Sequence, residues 1–334
     1  MSQPTQAPAF ADASTPCPLC DNPNAWLLTQ RDRHGDPLRV VMCSQCTLVR
    51  IDPLPSAAEL EEYYTDDYRA DYKGSSSPKV KHIWREFVVA GKRMTQLRKY
   101  LKPGTRVIDI GSSLGGVVAT LGQRGFEAEG VEPYRDYYEF SRRSFDVKAT
   151  NCVFTKYSTE TPFDLATMFH VMEHVVNFHE VLTHLKTLLA PDGKIFVEVP
   201  NIVATGASPQ GRYHRAHVLG FSPFTLSLAF QKAGYKVLEC GTNLNGENVW
   251  IAAQNAENLP APELRHPNPV AVYEKLHNHT QLGFLLSLRW TRRMARRITW
   301  QAQERQTIAG AKTESDVVAL VKEQLLKSPA SAQG

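Results

Sequence analysis

From about residue 101 the chain alternates short apolar runs with stretches of helical period. Arg106-Val-Ile-Asp-Ile110 reads as a buried strand, and Gly111-Ser-Ser-Leu-Gly-Gly116 turns the chain into a helical run. A second strand over 128–131 ends at Glu132. Further strands are expected at 164–169 and 194–199, with a helix over 178–189 between them. Strand and helix taking turns predicts an α/β fold, a doubly wound Rossmann-like sheet whose ligands sit beyond the carboxyl ends of the strands. Upstream, two short strands flank a turn at His34-Gly35-Asp36-Pro37, the pattern of a small ribbon. Ser56, with Glu59 three residues later, has capping-box spacing and opens a helix. Residues 74–78 read as a flexible break, and another helix is expected over 80–101. Past residue 258 the pattern is helical again. Leu286, Trp290, Met294 and Ile298 recur every four residues, with Arg289, Arg292, Arg293, Arg296 and Arg297 crowded between them. That spacing predicts an amphipathic basic helix over 284–300, and a last helix is expected over 314–326.

Composition narrows the class. With 334 residues and 42% hydrophobic positions the chain can bury a sizeable core. No run approaches the roughly eighteen apolar residues of a membrane span, and the opening MSQPTQAPAFADASTP has neither a basic start nor an apolar segment. The expectation is a soluble, cytoplasmic protein. Lys and Arg number 38 against 34 Asp and Glu, but residues 260–334 hold 11 basic and 6 acidic, leaving 27 against 28 before them. The positive excess therefore belongs to the C-terminal extension, which makes nucleic acid an unlikely partner of the body.

Four of the six cysteines, Cys17, Cys20, Cys43 and Cys46, form two C-x2-C pairs separated by 22 residues. Each pair can set two thiolates on one side of a Zn2+ ion, and two pairs complete a closed tetrahedral site with no open position for catalysis. Disulfides are the weaker reading in a reducing compartment. Residues 17–50 carry four basic and three acidic groups, too few for a phosphate-tracking surface. Cys152 and Cys240 stand alone and read as small buried apolar residues.

The first strand-helix turn bears on the ligand. A dinucleotide needs G-x-G-x-x-G, whereas here the glycines fall at Gly111, Gly115 and Gly116 with Ser113 between them. Asp109, two residues before the first glycine, would repel a pyrophosphate but suits a ligand carrying an ammonium group. Glu132, at the tip of the second strand, is placed to take both ribose hydroxyls on its carboxylate. An amino-acid nucleoside fits both. Later, His170 and His174 stand four apart and could share a helical face, and with Glu173 they also match H-x-x-E-H. That zinc pattern belongs on a long helix, whereas here it directly follows a buried strand. His214 and His217 lie in a loop, RYHRAH, where a histidine beside a site is more suggestive.

Taken jointly, these motifs resemble class I S-adenosylmethionine-dependent methyltransferases over about residues 100–255. Asp109, Gly111 and Gly115 match the family's Asp-x-Gly-x-Gly-x-Gly, with Ser113 in place of the middle glycine, and Val131-Glu132-Pro133 looks like its ribose-binding acid. His170-Val-Met-Glu-His174 resembles the H-V-x-E-H of many small-molecule members. Leu188-Leu-Ala-Pro-Asp-Gly193 resembles the L-x-P-G-G turn, and the run from His217 through Ser222 to Leu226 and Ala233-Gly234-Tyr235 resembles the late family stretch. The four-cysteine ribbon and the tyrosine-bearing helix with Tyr63, Tyr64 and Tyr68, a candidate lid, resemble a zinc-bearing branch. Many members of that branch act in sugar, polysaccharide and natural-product pathways.

The resemblance implies a chain organised as a disordered tail (1–16), zinc ribbon (17–55), helical connector or lid (56–100), S-adenosylmethionine-binding methyltransferase domain (101–258) and helical C-terminal extension (259–334). It implies S-adenosylmethionine held by Asp109, Gly111, Ser113, Gly115, Glu132, Pro133 and His170, and a structural Zn2+. The expected reaction is methyl transfer to a small-molecule or glycan acceptor, with His217, His174 or His170 as the base and Glu173 orienting it. Alternatives are an RNA or protein methyltransferase that grips a macromolecule with its ribbon, and a non-catalytic binding protein. For the basic helix the expectations are docking on the core through its apolar stripe, contact within a homo-oligomer, or peripheral attachment to an anionic membrane.

Overall fold

The computed structural model describes residues 8–56, 59 and 78–327. Tyr63, Tyr64, Tyr68 and most of the expected break at 74–78 lie outside the described residues. In chain order the elements begin with the strands β1 (Ala25–Arg31), β2 (Pro37–Cys43) and β3 (Val49–Ile51). Helix α1 (Val80–Leu97), strand β4 (Arg106–Ile110), helix α2 (Gly116–Gly122), strand β5 (Glu127–Val131) and helix α3 (Arg135–Phe145) follow. Next come β6 (Ala149–Thr150), β7 (Phe163–Phe169), α4 (Phe178–Leu188), β8 (Leu189–Pro200), β9 (Leu219–Gly220) and α5 (Pro223–Lys232). The chain closes with β10 (Tyr235–Thr242), β11 (Asn248–Asn255), α6 (Pro269–His277), α7 (Gln281–Leu285), α8 (Leu288–Ile308) and α9 (Glu314–Lys327). Among the described residues no helix is long and apolar enough to cross a membrane.

Two sheets result. A four-stranded sheet runs β1-β2-β3-β9, and a seven-stranded sheet runs β10-β11-β8-β7-β4-β5-β6, the expected doubly wound α/β order. Strand β4 sits between β5 and β7, parallel to both, so Val107, Ile108 and Ile110 are buried on both faces, as an apolar central strand requires. Strands β10 and β11 pair antiparallel at the other end. The segment expected as a turn, Leu188–Gly193, falls almost wholly inside β8, which starts at Leu189. A Cβ on Gly193 would lie 2.8 Å from the Ala190 carbonyl oxygen, so the chain folds back there and Asp192 is accommodated beside a glycine that cannot be replaced.

The chain divides into two compact units, a division that cuts across the boundaries expected at 55, 100 and 258. One combines the described part of Met1–Thr65 with His170–His179 and Val197–Ala295. Its core packs Trp26, Leu38, Val40, Met42 and Val49 against Leu276 of α6. Residues 8–16, expected within a disordered tail, run along this unit. Ala11 bridges Ala25, Phe10 stacks on Trp26, and Ser14 N–H donates to Asp52. Ser56 and Glu59 form the expected reciprocal cap, with the Ser56 N–H on Glu59 Oε2 at 2.7 Å and the Glu59 N–H on Ser56 Oγ at 3.2 Å.

The second unit holds the described part of Asp66–Phe169, Glu180–Phe196 and the described part of Arg296–Gly334. Ile83 and Phe87 of α1, Leu114, Val118 and Phe140 share one core with Val317 and Val321 of α9, both fully buried. The C-terminal extension therefore docks, but not through the stripe the sequence singles out. Leu286, Trp290 and Ile298 are exposed, and the helix begins at Leu288 because Ser287 interrupts it. The docked face is Trp300, tilted on Trp84 at 5.4 Å, Glu304, paired with Arg85 at 2.6 Å, and Ile308.

This face makes an expectation for stability. Val317→Ala removes two buried methyl groups and should cost about 2 kcal/mol, whereas Ile298→Ser should change stability by less than about 0.5 kcal/mol. Urea unfolding of the two variants checks this, and equal effects would contradict the assigned face.

Candidate active site and metal centre

In the ribbon each Cys-x-x-Cys closes the same way. The residue after the second cysteine takes a left-handed turn, Asp21 at φ 61° and Thr47 at φ 67°, and donates its N–H to the carbonyl of the first, Cys17 or Cys43. The two knuckles bring four buried sulfurs together, with Cys17–Cys46 and Cys20–Cys43 each at 3.5 Å. Sulfurs around a tetrahedral zinc, at bonds of about 2.3 Å, stand about 3.8 Å apart, so the cluster fits the ion. Packed this closely, the thiols share protons unequally. Contact with Cys17 helps push Cys43 far down and Cys46 far up, and a cation is the ordinary resolution.

At the end of β4 the backbone turns left-handed three times, at Gly111 (φ 69°), Ser113 (φ 51°) and Gly115 (φ 82°). The departure at Ser113 therefore costs strain that a glycine would avoid. The loop is held by acids. Glu132 accepts the Ser113 N–H on one oxygen at 2.8 Å and the Tyr134 N–H on the other at 2.9 Å. Glu86 of α1 accepts from the Ser113 hydroxyl at 3.0 Å and the Gly116 N–H at 3.2 Å. Asp109 is buried and takes the Thr167 hydroxyl at 2.6 Å; burial pushes its carboxyl up to about 7. Pro133 follows Glu132, and its carbonyl accepts from Asn151. The loop thus gathers Asp109, Gly111, Ser113, Gly115, Glu132 and Pro133 at the carboxyl ends of β4 and β5.

His170 directly follows β7 and also turns left-handed, at φ 58°. Only a short 3-10 turn, Met172–His174, comes after it, so His170 and His174 do not share a helical face as the spacing suggested. The left-handed residue redirects the segment, and with His217 from a later loop three histidines face one carboxylate. Glu173 is 2% exposed, and its Oε1 lies 3.4 Å from His170 Nδ1, 3.8 Å from His174 Nε2 and 3.9 Å from His217 Nε2. Neither oxygen receives a well-directed hydrogen bond. Burial alone would raise Glu173, but the rings of His170 and His174 outweigh it and hold it below the usual carboxylate range. His174 Nδ1 donates to the Ala216 carbonyl at 2.6 Å, which leaves Nε2 as the acceptor nitrogen. Burial pushes His217 far down, helped by its histidine neighbours, and lowers His214 to about 4. Glu173, His214 and His217 open on a cavity of about 190 Å³, with Asn201, Arg212 and Tyr213 also in its wall.

Residues 82–240 match the family described as Methyltransferase domain. This segment has the Rossmann-like methyltransferase fold. Among curated relatives of the chain, C-methyltransferase NovU of Streptomyces niveus is 26% identical over 254 residues, covering 72% of this chain and 56% of its own length. The tRNA U34 carboxymethyltransferase of Syntrophotalea carbinolica is 28% identical over 191 residues, 50% of this chain and 57% of its own. The chain therefore spans little more than half the length of both. Among solved structures, the Burkholderia thailandensis 1,6-didemethyltoxoflavin-N1-methyltransferase is 16% identical, covering 66% of this chain and 96% of its own, with a TM-score of 0.49.

Four residues around the methyltransferase segment have no sequence motif to announce them. Glu86 reaches the glycine loop from 27 positions away. Glu198, whose carbonyl accepts the His170 N–H at 2.8 Å, places its carboxylate 3.6 Å from His170 Nε2, and Asn248 donates to that carboxylate at 3.1 Å. Arg50 is 1% exposed at the cavity wall and leaves Nε and Nη1 without partners. A buried acid, amide or guanidinium carries no spacing of its own, and only its neighbours in space reveal it.

The cysteine cluster yields an expectation. Titrating the native protein's thiols with a mercurial should release one zinc per four cysteines, and Cys43→Ser should lose that zinc and loosen the ribbon, since such sites contribute about 10 to 16 kcal/mol of folding free energy. Release of no zinc from protein prepared without chelator would exclude the assignment.

Proposed function

We propose that the protein transfers a methyl group from S-adenosylmethionine to a small-molecule or glycan acceptor, a sugar, nucleotide sugar or polysaccharide, with His170 taking the acceptor's proton. The observation that carries the reading is the left-handed loop from Asp109 to Gly116 held against Glu132, within a segment that matches a methyltransferase domain. Glu132, at the end of β5 beside the loop, offers a carboxylate for a ribose diol, and the buried Asp109 suits the ligand's ammonium group. When bound, the cofactor supplies an electrophilic methyl on a sulfonium.

Position chooses His170 among the three candidate bases. Its side chain is 37% exposed against 15% for His174 and 19% for His217, and it follows β7 at the end where ligands of such sheets sit. Glu173 and Glu198 flank its two ring nitrogens, which orients the imidazole and stabilises it once it holds a proton. His174 is tied to Ala216 and His217 is desolvated, so neither is as open to an acceptor as His170. The likeness to a protein named C-methyltransferase supports an acceptor whose methylated atom must first lose a proton. The buried Arg50 at the cavity wall supports an acceptor carrying an acidic group, as a nucleotide sugar does.

Two measurements test this. Calorimetry should show Glu132→Ala weakening S-adenosylmethionine about ten- to hundredfold, the worth of roughly 1.5 to 3 kcal/mol in hydrogen bonds to a charge. The loss should shrink for an analogue lacking the ribose 2′-hydroxyl, whereas an undiminished loss would mean that Glu132 only holds the loop. Separately, in a screen of nucleotide sugars and glycans, His170→Ala should lower kcat about a hundredfold or more with cofactor affinity kept. Unchanged turnover would exclude His170 as the base.

A further inference from the structure

The cluster around Glu173 leaves a physical problem that general-base chemistry does not solve. A carboxylate 2% exposed, with no well-directed hydrogen bond to either oxygen, is costly unless an opposite charge replaces the lost water. His170 Nδ1 comes nearest, at 3.4 Å, and two further ring nitrogens face the same oxygen, at 3.8 Å on His174 and 3.9 Å on His217. The two longer separations are too long for hydrogen bonds, yet the donor atoms of Glu173, His174 and His217 lie within 4.8 Å of one another. Oxygen and nitrogen ligands of a tetrahedral ion, at bonds of about 2.0 to 2.1 Å, stand about 3.4 Å apart, so the two carboxylate–imidazole separations need to close by only about half an ångström, and the two ring nitrogens, within 4.8 Å of one another, would turn toward the ion.

We propose that Glu173 Oε1, His174 Nε2 and His217 Nε2 bind a divalent transition-metal ion, distinct from the ion assigned to the four cysteines. Two imidazoles and a carboxylate form a donor set suited to zinc and its neighbours, and three protein ligands leave a position open. That position faces the cavity with Asn201, Arg212, Tyr213 and His214 in its wall, so an oxygen of a bound small molecule is the ligand it would take. The outer contacts fit as well. The Ala216 carbonyl holds His174 in the tautomer that offers Nε2, the backbone support that ligating histidines ordinarily have. His217 Nε2 approaches the same Glu173 oxygen from a loop whose turn is closed by the His217 N–H on the His214 carbonyl at 3.0 Å. This arrangement differs from the H-x-x-E-H pattern, in which both histidines of the motif are ligands and the glutamate is not. Here the glutamate is a ligand and the second imidazole comes from a loop 43 positions later.

The inference does not depend on methyl transfer, because metal counting needs no substrate. Full-length protein prepared without chelator is dialysed against excess Zn2+, then against metal-free buffer, and its metal measured by plasma mass spectrometry. Wild type should hold one ion per chain more than either Glu173→Gln or His217→Ala, and His170→Ala should hold as many as wild type. Exchange with Co2+ separates the two sites: the thiolate charge-transfer band should persist in Glu173→Gln while visible absorption from a nitrogen–oxygen site is lost. Glu173→Gln nearly preserves shape, and an unchanged circular dichroism spectrum and melting curve excludes loss by unfolding. Equal metal content in wild type and both variants would overturn the proposal, as would a cobalt spectrum with thiolate features alone.

Discussion

A carboxylate taken out of water must find hydrogen bonds or a positive charge, or it stays neutral, and this chain buries several where its strands end. Each is resolved differently, and each resolution fixes a piece of the site. Asp109 leans on the Thr167 hydroxyl and sits near its titration point, its charge left for a ligand to complete. Glu132 is satisfied by two backbone N–H groups, and in accepting them it sets the path of the glycine loop on one side and the start of α3 on the other. Glu173 is faced by histidine rings, at 3.4 Å from His170, 3.8 Å from His174 and 3.9 Å from His217.

The same strand ends carry the left-handed backbone. Gly111, Ser113 and Gly115 follow β4, and His170 follows β7, the strand beside it. A non-glycine residue held at positive φ persists only where the surroundings over-determine it. Ser113 is fixed through its N–H by Glu132 and through its hydroxyl by Glu86; His170 is fixed through its N–H by the Glu198 carbonyl. The strain therefore lies where the chain must leave a strand abruptly to line a ligand site, and long-range hydrogen bonds from acids and carbonyls maintain it.

Much of this was legible in the sequence because it is local. Cysteine spacing, apolar strands and the glycine turn each depend on residues a few positions apart, and β4, β5, β7, α4 and α9 fall close to their expected places. What was not legible is set by contacts across the chain. The i, i+4 spacing of His170 and His174 suggested a helix, but one left-handed residue redirects the segment, and nothing in H-V-M-E-H announces it. The basic helix misled for a geometric reason. Four residues advance a helix by about 400°, so a stripe drawn every four positions drifts by about 40° at each step. Ile298 ends roughly 120° from Glu304, the residue whose ion pair with Arg85 marks the docked face, and it points to solvent.

The ribbon's cysteines and the histidine loop belong to one mechanical chain. The knuckle at Cys43–Cys46 closes with the Cys43 N–H on the Leu48 carbonyl, which delivers β3 directly. Strand β3 then pairs with β9, Val49 opposite Gly220 and Arg50 opposite Leu219, and the Ile51 N–H reaches the Val218 carbonyl next to His217. Gly220 in turn leaves room for the Ile202 side chain, which a Cβ there would meet at 2.8 Å. The knuckle that carries Cys43 and Cys46 therefore leads into the strand that pairs beside His217, and ribbon residues Val40, Val49 and Arg50 form part of the cavity wall. On this geometry the ribbon supplies part of the cavity wall, and its near-neutral charge offers little to a polyanion.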